Sequence, residues 1–203
     1  MARPRAADYD DKRAAVLAHA ARLFAERGYD RTSMAEIAQA QGVSKALFYH
    51  YFPAKDALLF AIIRTHLDEL VAAAETAAAE PGCPRARLQA VVTAILDCYR
   101  DADAEHKIQI NHLSQLPAPR QAELRALERR LVDLMSDAVR SLNPDMPQRM
   151  VKPVAMSIFG TLNWKYMWFR EGGPLDRAAY AELVTQIFAD GIAGVAGDRL
   201  AAE

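Results

Sequence analysis

"SMAEIAQAQGVSKALFYHYFPAKDALL", residues 33–59, decides how this chain is read. Ser33 and Glu36 have the Ser-x-x-Glu spacing of a capping box, which starts a helix by pairing orphan N–H groups with side chains. Ile37 and Ala38 then fall on one face, and Gly42 supplies a stop. Ser44 is placed to cap a second short helix, from Lys45 to about Tyr51. Pro53 ends it, because proline lacks the N–H and its ring clashes with a continuing helix. Two short helices joined by a tight glycine turn are the pattern of a helix-turn-helix. Four aromatic rings and His50 are packed into Phe48–Phe52. A pure core would not need two Tyr, a His and flanking Lys residues, so this helix is expected to anchor with some rings and present others.

Outward from this stretch the pattern is helical throughout. Residues 12–27 form an amphipathic pattern with Val16, Ala20, Leu23 and Phe24 at helical spacing. Gly28 stands at the C-terminal stop, and Tyr29 is expected to fold back over the last turn. The expected small core is Leu23, Phe24, Met34, Ile37, Ala38, Val43, Leu47 and Phe48. A long pattern runs over about 54–80 to a break at "PGCP", 81–84. Further helices are predicted over 84–100, 104–115 and 117–142. After the turn "NPDMP", 143–147, another reaches Arg170 and either starts or kinks at Pro153. "EGGP", 171–174, is a stop, and a last helix spans about 176–195. No strand pattern or repeat is found. The expected fold is all-α: a three-helix unit with the helix-turn-helix at 1–53, with the start of its connector to about 60, and a larger helical part at 54–203.

Composition narrows the function. The chain has 203 residues, is 52% hydrophobic and carries a net charge of -1, which argues against disorder. Residues 1–65 hold ten basic and seven acidic side chains; the rest holds fifteen and nineteen. A basic N-terminal part suits a polyanion partner. No apolar run approaches a bilayer span, and the N-terminal "MARPRAADYDDKR" lacks the apolar segment of a signal peptide. Cys83 and Cys98 have no ligand-like spacing to other Cys or His, so a reducing cytoplasm is expected, with no disulfide framework, metal or cofactor. His106 and His112, six apart, do not share a helix face. No nucleophile motif or phosphate loop points to an enzyme.

Residues 12–59, with Phe24, Gly28, Thr32, Ile37, Ala38, Gly42, Val43, Ser44, Tyr49, Phe52, Lys55 and Leu58, resemble the DNA-binding domain of the TetR family of bacterial transcriptional regulators. Ala54 departs from the Ser or Gly common there. The resemblance implies an operator of double-stranded DNA. It also implies contact by the positions Thr32, Ser33, Lys45, Tyr49, His50 and Lys55. The residues support this independently: a helix entering the major groove needs a thin polar face and phosphate donors. Ser44 and Lys45 open the reading helix, and a Tyr49 hydroxyl can reach phosphate while its ring braces the helix. Leu47 either touches thymine methyls or packs inward.

For the remainder the resemblance implies a homodimer whose last two helices pair with their counterparts. Phe159, Leu162, Ile187, Phe188 and Ile192 are the candidate seam, with ordinary core as the other use. It also implies a small-molecule effector that opposes operator binding. "NWKYMWFREGGP", 163–174, is similar to text in members that sense acyl-CoA thioesters. Candidate ligand residues are Tyr99, Asn111, His112, Met135, Trp164, Trp168 and Arg170. Arg149, Lys152, Lys165 and Arg170 are candidate partners for CoA phosphates. Repression is the leading expectation. Activation and non-specific architectural DNA binding are the alternatives.

Overall fold

A computed structural model describes residues 4–42, 44–192 and 195, with side chains from Lys12 onward. Val43, expected in the core, lies outside the described residues. The described residues form helices and no strand: α1 (Pro4–Arg27), α2 (Met34–Ala40), α3 (Lys45–Tyr51), α4 (Lys55–Ala79), α5 (Pro84–Cys98), α6 (Asp103–His112), α7 (Ala118–Leu142), α8 (Gln148–Asn163) and α9 (Arg177–Ile192).

The local signals act as their chemistry demands. Ser33 Oγ accepts from the Glu36 N–H at 3.2 Å, and Glu36 Oε2 accepts from the Ser33 N–H at 2.7 Å. These bonds, with Ser33 as the main cause, hold the Glu36 carboxyl below its usual range. Ser44 Oγ accepts from the Leu47 N–H at 3.3 Å and caps α3. Gly28 and Gly42 turn the chain at φ +89° and +62°, where a side chain is strained even with room for it.

Contacts divide the chain into two compact units. One holds the described residues of Met1–Leu67 with Asp101–Arg125, the other those of Asp68–Arg100 with Ala126–Glu203. The contact division therefore does not fall at residue 53: α4 is continuous from Lys55, and α6 packs on α1. In the first unit Val16, Ala20, Phe24, Ile37, Ala38, Phe48, Phe52, Leu58 and Ile62 are all but inaccessible. Leu47, expected in this core, is 40% exposed. Asp56–Arg120, at 2.6 Å, and Arg64–Glu123 join α4 to α7.

In the second unit α5 packs along α9. Arg177 is buried and donates to the Leu96 carbonyl at 2.5 Å and to Glu171. Asn143 Nδ2 donates to the carbonyls of Ile192, at 3.2 Å, and Val195, at 3.3 Å. Two predicted elements are shorter than expected. The helix from 104 gives way to a 3-10 turn at Leu113–Gln115. α8 stops at Asn163 and is followed by a 3-10 turn at Trp164–Met167. Pro153 neither starts nor ends α8 but sits within it, where it removes one backbone hydrogen bond.

Candidate nucleic-acid interface

Adjacent residues of α3 go opposite ways. Phe48 is fully buried and Phe52, just past the helix, nearly so, their rings 5.9 Å apart. Tyr49 is 44% exposed, and Lys45 and His50 are exposed with it. The Phe48 ring meets the Tyr49 ring edge-on at 6.1 Å, so the core ring steadies the outward one. Leu47 adds an exposed apolar side chain on the same short helix. Ser33 and Ser44 are exposed, though each hydroxyl already accepts a capping hydrogen bond.

Thr32 corrects an expectation. It is 1% exposed, and its hydroxyl donates to the Gly28 carbonyl at 2.9 Å, with the Leu23 carbonyl at 3.4 Å. The Gly28 carbonyl, just past the end of α1, has no helical partner, and the Thr32 hydroxyl meets that need. Its side chain is therefore a structural latch, not an outward donor. Lys55 is half-buried. Its ammonium donates to the Asp30 carbonyl at 3.3 Å and lies 4.4 Å from the centroid of the Tyr29 ring. Tyr29 carries no charge, and the sequence reading assigned it only to the turn; the signal for its second contact was an aromatic beside the stop glycine.

The ligand candidates are scattered. Asn111 and His112 belong to the first unit, where Asn111 donates to the Lys107 carbonyl at 2.8 Å and the His112 ring lies 5.7 Å from Tyr29. In the second unit Tyr99 is buried and donates to Asn163 Oδ1 at 2.7 Å; burial, then the Cys98 thiol, raises its pKa. Met135 is fully buried, while Trp164 and Trp168 are half or more exposed and Arg170 is exposed. Trp168 packs edge-on against Tyr180 at 5.2 Å. Lys165 is buried, 5.2 Å from the Phe169 ring, so it does not stand out as a surface cation for a phosphate. An open groove of about 730 Å³ lies between α4 and α5, floored by Ala73, Ala77, Ala90 and Ala94 with Thr76 and Thr93; none of the candidates lines it. Among the described residues no group of three His, Cys, Asp or Glu is placed to hold a metal.

The seam candidates also divide. Phe159, Leu162 and Ile192 are interior residues of their own unit, and Phe188 is half-buried. Of the five expected, only Ile187 stands out, 58% exposed. Met156 and Leu183, 47% and 42% exposed, share the open sides of α8 and α9 with it.

Residues 16–62 match the family described as "Bacterial regulatory proteins, tetR family", and residues 81–192 match "Tetracyclin repressor-like, C-terminal domain". The chain belongs to the TetR family. That family is one of DNA-binding transcriptional regulators, not enzymes. The transcriptional activator FasR of Mycolicibacterium smegmatis is 26% identical over 92% of this chain and 85% of its own. The repressor KstR2 of the same organism is 27% identical over 93% and 94%. A crystal structure of AibR in complex with isovaleryl coenzyme A and operator DNA superposes with a TM-score of 0.69 at 29% identity, covering 90% of this chain and 96% of that one. No helix of the described TetR-family chain is long and apolar enough to cross a membrane.

Proposed function

We propose that this TetR-family chain is a ligand-responsive repressor, a homodimer that holds a palindromic operator and releases it when an acyl-CoA or related carboxylic metabolite binds the C-terminal part. The observation that carries the DNA half is the outward set Lys45, Tyr49 and His50 on a helix pinned from behind by Phe48. Lys45, Tyr49 and Lys55 serve phosphates, Ser33 and Ser44 fix the helix starts, and His50 and Leu47 stand where base edges pass. Such a protein works in the cytoplasm, where the chromosome is.

Two reading helices must stand about 34–36 Å apart to meet successive major grooves of a palindrome. The exposed Met156, Leu183 and Ile187 supply a dry face for the dimer this needs. A ligand that favours another spacing weakens DNA binding by the same factor as DNA weakens the ligand, typically about 1–3 kcal/mol. The isovaleryl coenzyme A in AibR supports the thioester class. Arg149, Lys152 and Arg170 remain candidates for its phosphates.

The test is a mobility shift on an operator fragment recovered by footprinting, with a panel of CoA thioesters and the matching free acids. Release by one chain length is the expected result; no release by any thioester would overturn the effector class and leave the regulator intact. Activation is the second reading, favoured by the similarity to FasR. A footprint upstream of the promoter, instead of across it, would select activation.

A further inference from the structure

We infer that Tyr29 is a positioning residue for operator binding, holding the Lys55 ammonium in place at the start of α4. The inference rests on reading Lys55 as a phosphate contact. A lysine stem has four rotatable carbons and ordinarily leaves its charge mobile in water. Here the ammonium lies 4.4 Å from the Tyr29 ring centroid, inside the range in which a ring quadrupole attracts a cation. The Asp30 carbonyl takes one of its three donors at 3.3 Å. Both contacts come from the same turn between α1 and α2.

The ring that receives the charge is itself fixed. Phe24, fully buried, meets it edge-on at 5.0 Å, and His112 at the end of α6 lies 5.7 Å away, tilted by 35°. The Tyr29 carbonyl accepts from the Thr32 N–H at 3.3 Å, which ties the turn to the start of α2. Burial above all, then the charges of Asp56 and Asp30, keeps the phenol protonated. The cation therefore rests on a neutral ring whose position is set by α1 and α6. A phosphate arriving at α4 meets a charge already placed, so less ordering is needed on binding.

A ring that only closed the turn would give the same packing without this consequence, and the experiment separates the two. Operator affinity is measured by fluorescence anisotropy for the full chain and for Tyr29→Phe, Tyr29→Leu, Lys55→Gln and the double variant Tyr29→Leu/Lys55→Gln. Tyr29→Phe keeps the ring and should stay within about twofold of the parent. Tyr29→Leu should weaken binding about fivefold, the scale of one exposed cation–π contact. Lys55→Gln should weaken it further and flatten the salt dependence by about one unit of slope. In the Lys55→Gln background the Tyr29→Leu change should cost nothing more. Equal cost in both backgrounds means packing alone and overturns the inference. An unchanged affinity and slope for Lys55→Gln instead overturns the phosphate reading beneath it. Tyr29→Met, with similar reach and no ring, replaces Tyr29→Leu if the latter does not fold.

Discussion

Two surfaces of this molecule expose rings and large apolar side chains, and they differ in how each side chain ends. On α3 three of the exposed groups, Tyr49, His50 and Lys45, finish in a hydroxyl, an imidazole or an ammonium, with Leu47 the large apolar one among them. On α8 and α9 they finish in bare hydrocarbon or thioether: Met156, Leu183 and Ile187. The first kind tolerates water and gains from a polyanion; the second gains only when water leaves. On the proposed reading one chain carries a wet interface and a dry one, and substitutions should separate them.

The largest expected effect falls on the dry face. Leu183→Asp with Ile187→Asp should convert the dimer to monomer in analytical ultracentrifugation. Operator affinity should fall about 10²–10⁴-fold, the scale of lost bivalency. A dimer that survives both charges would place the seam elsewhere. Phe48 and its neighbour Tyr49 give the next contrast. Phe48→Ala should destabilise the fold by about 3–5 kcal/mol in urea, since it removes a fully buried ring. Tyr49→Ala should leave the urea midpoint nearly unmoved yet weaken operator binding. If both changes act on stability alike, the division of α3 into inner and outer faces is wrong.

Acid separates the units. All five histidines lie in the first one. His66 is 3% exposed with its ring 6.2 Å from that of His106, and burial, then the His106 charge, pushes its pKa from 6.5 down to about 4. A base whose folded pKa is depressed takes up its proton in the unfolded chain first. Its contribution is therefore intact above about 6.5 and is lost as pH falls toward 4, by roughly 3 kcal/mol at the limit. Urea midpoints between pH 7.5 and 4.5 should show this slope, and His66→Leu should flatten it. The smallest effect is at the cap: Ser33→Ala should cost about 1 kcal/mol and weaken DNA binding only through loosening of α2.

The helix-turn-helix was legible because its instructions are local. A capping box, two glycines and a proline act within a few residues, and each does so here. Thr32 shows the limit, since its hydroxyl was claimed by carbonyls at Gly28 and Leu23 that spacing does not reveal. The C-terminal surfaces were less legible for a different reason. α9 is apolar on more than one side, so periodicity could not say that Ile192 turns inward and Ile187 outward. The ligand candidates come from distant parts of the chain, and only the contacts reveal that Asn111 and His112 belong with the first unit.

Gly160 lies on the open side of α8, one turn after Met156 and one turn before Trp164, and a side chain added there would meet nothing. The row therefore runs bulky, empty, bulky. On the dimer reading this notch is a keyhole as well as a contact. A second copy, which has both the notch and projecting residues such as Ile187, carries lock and key together. If two copies meet on this face, a leucine at position 160 would fill the gap between Met156 and Trp164 and leave the projecting side chains of the other copy nowhere to seat.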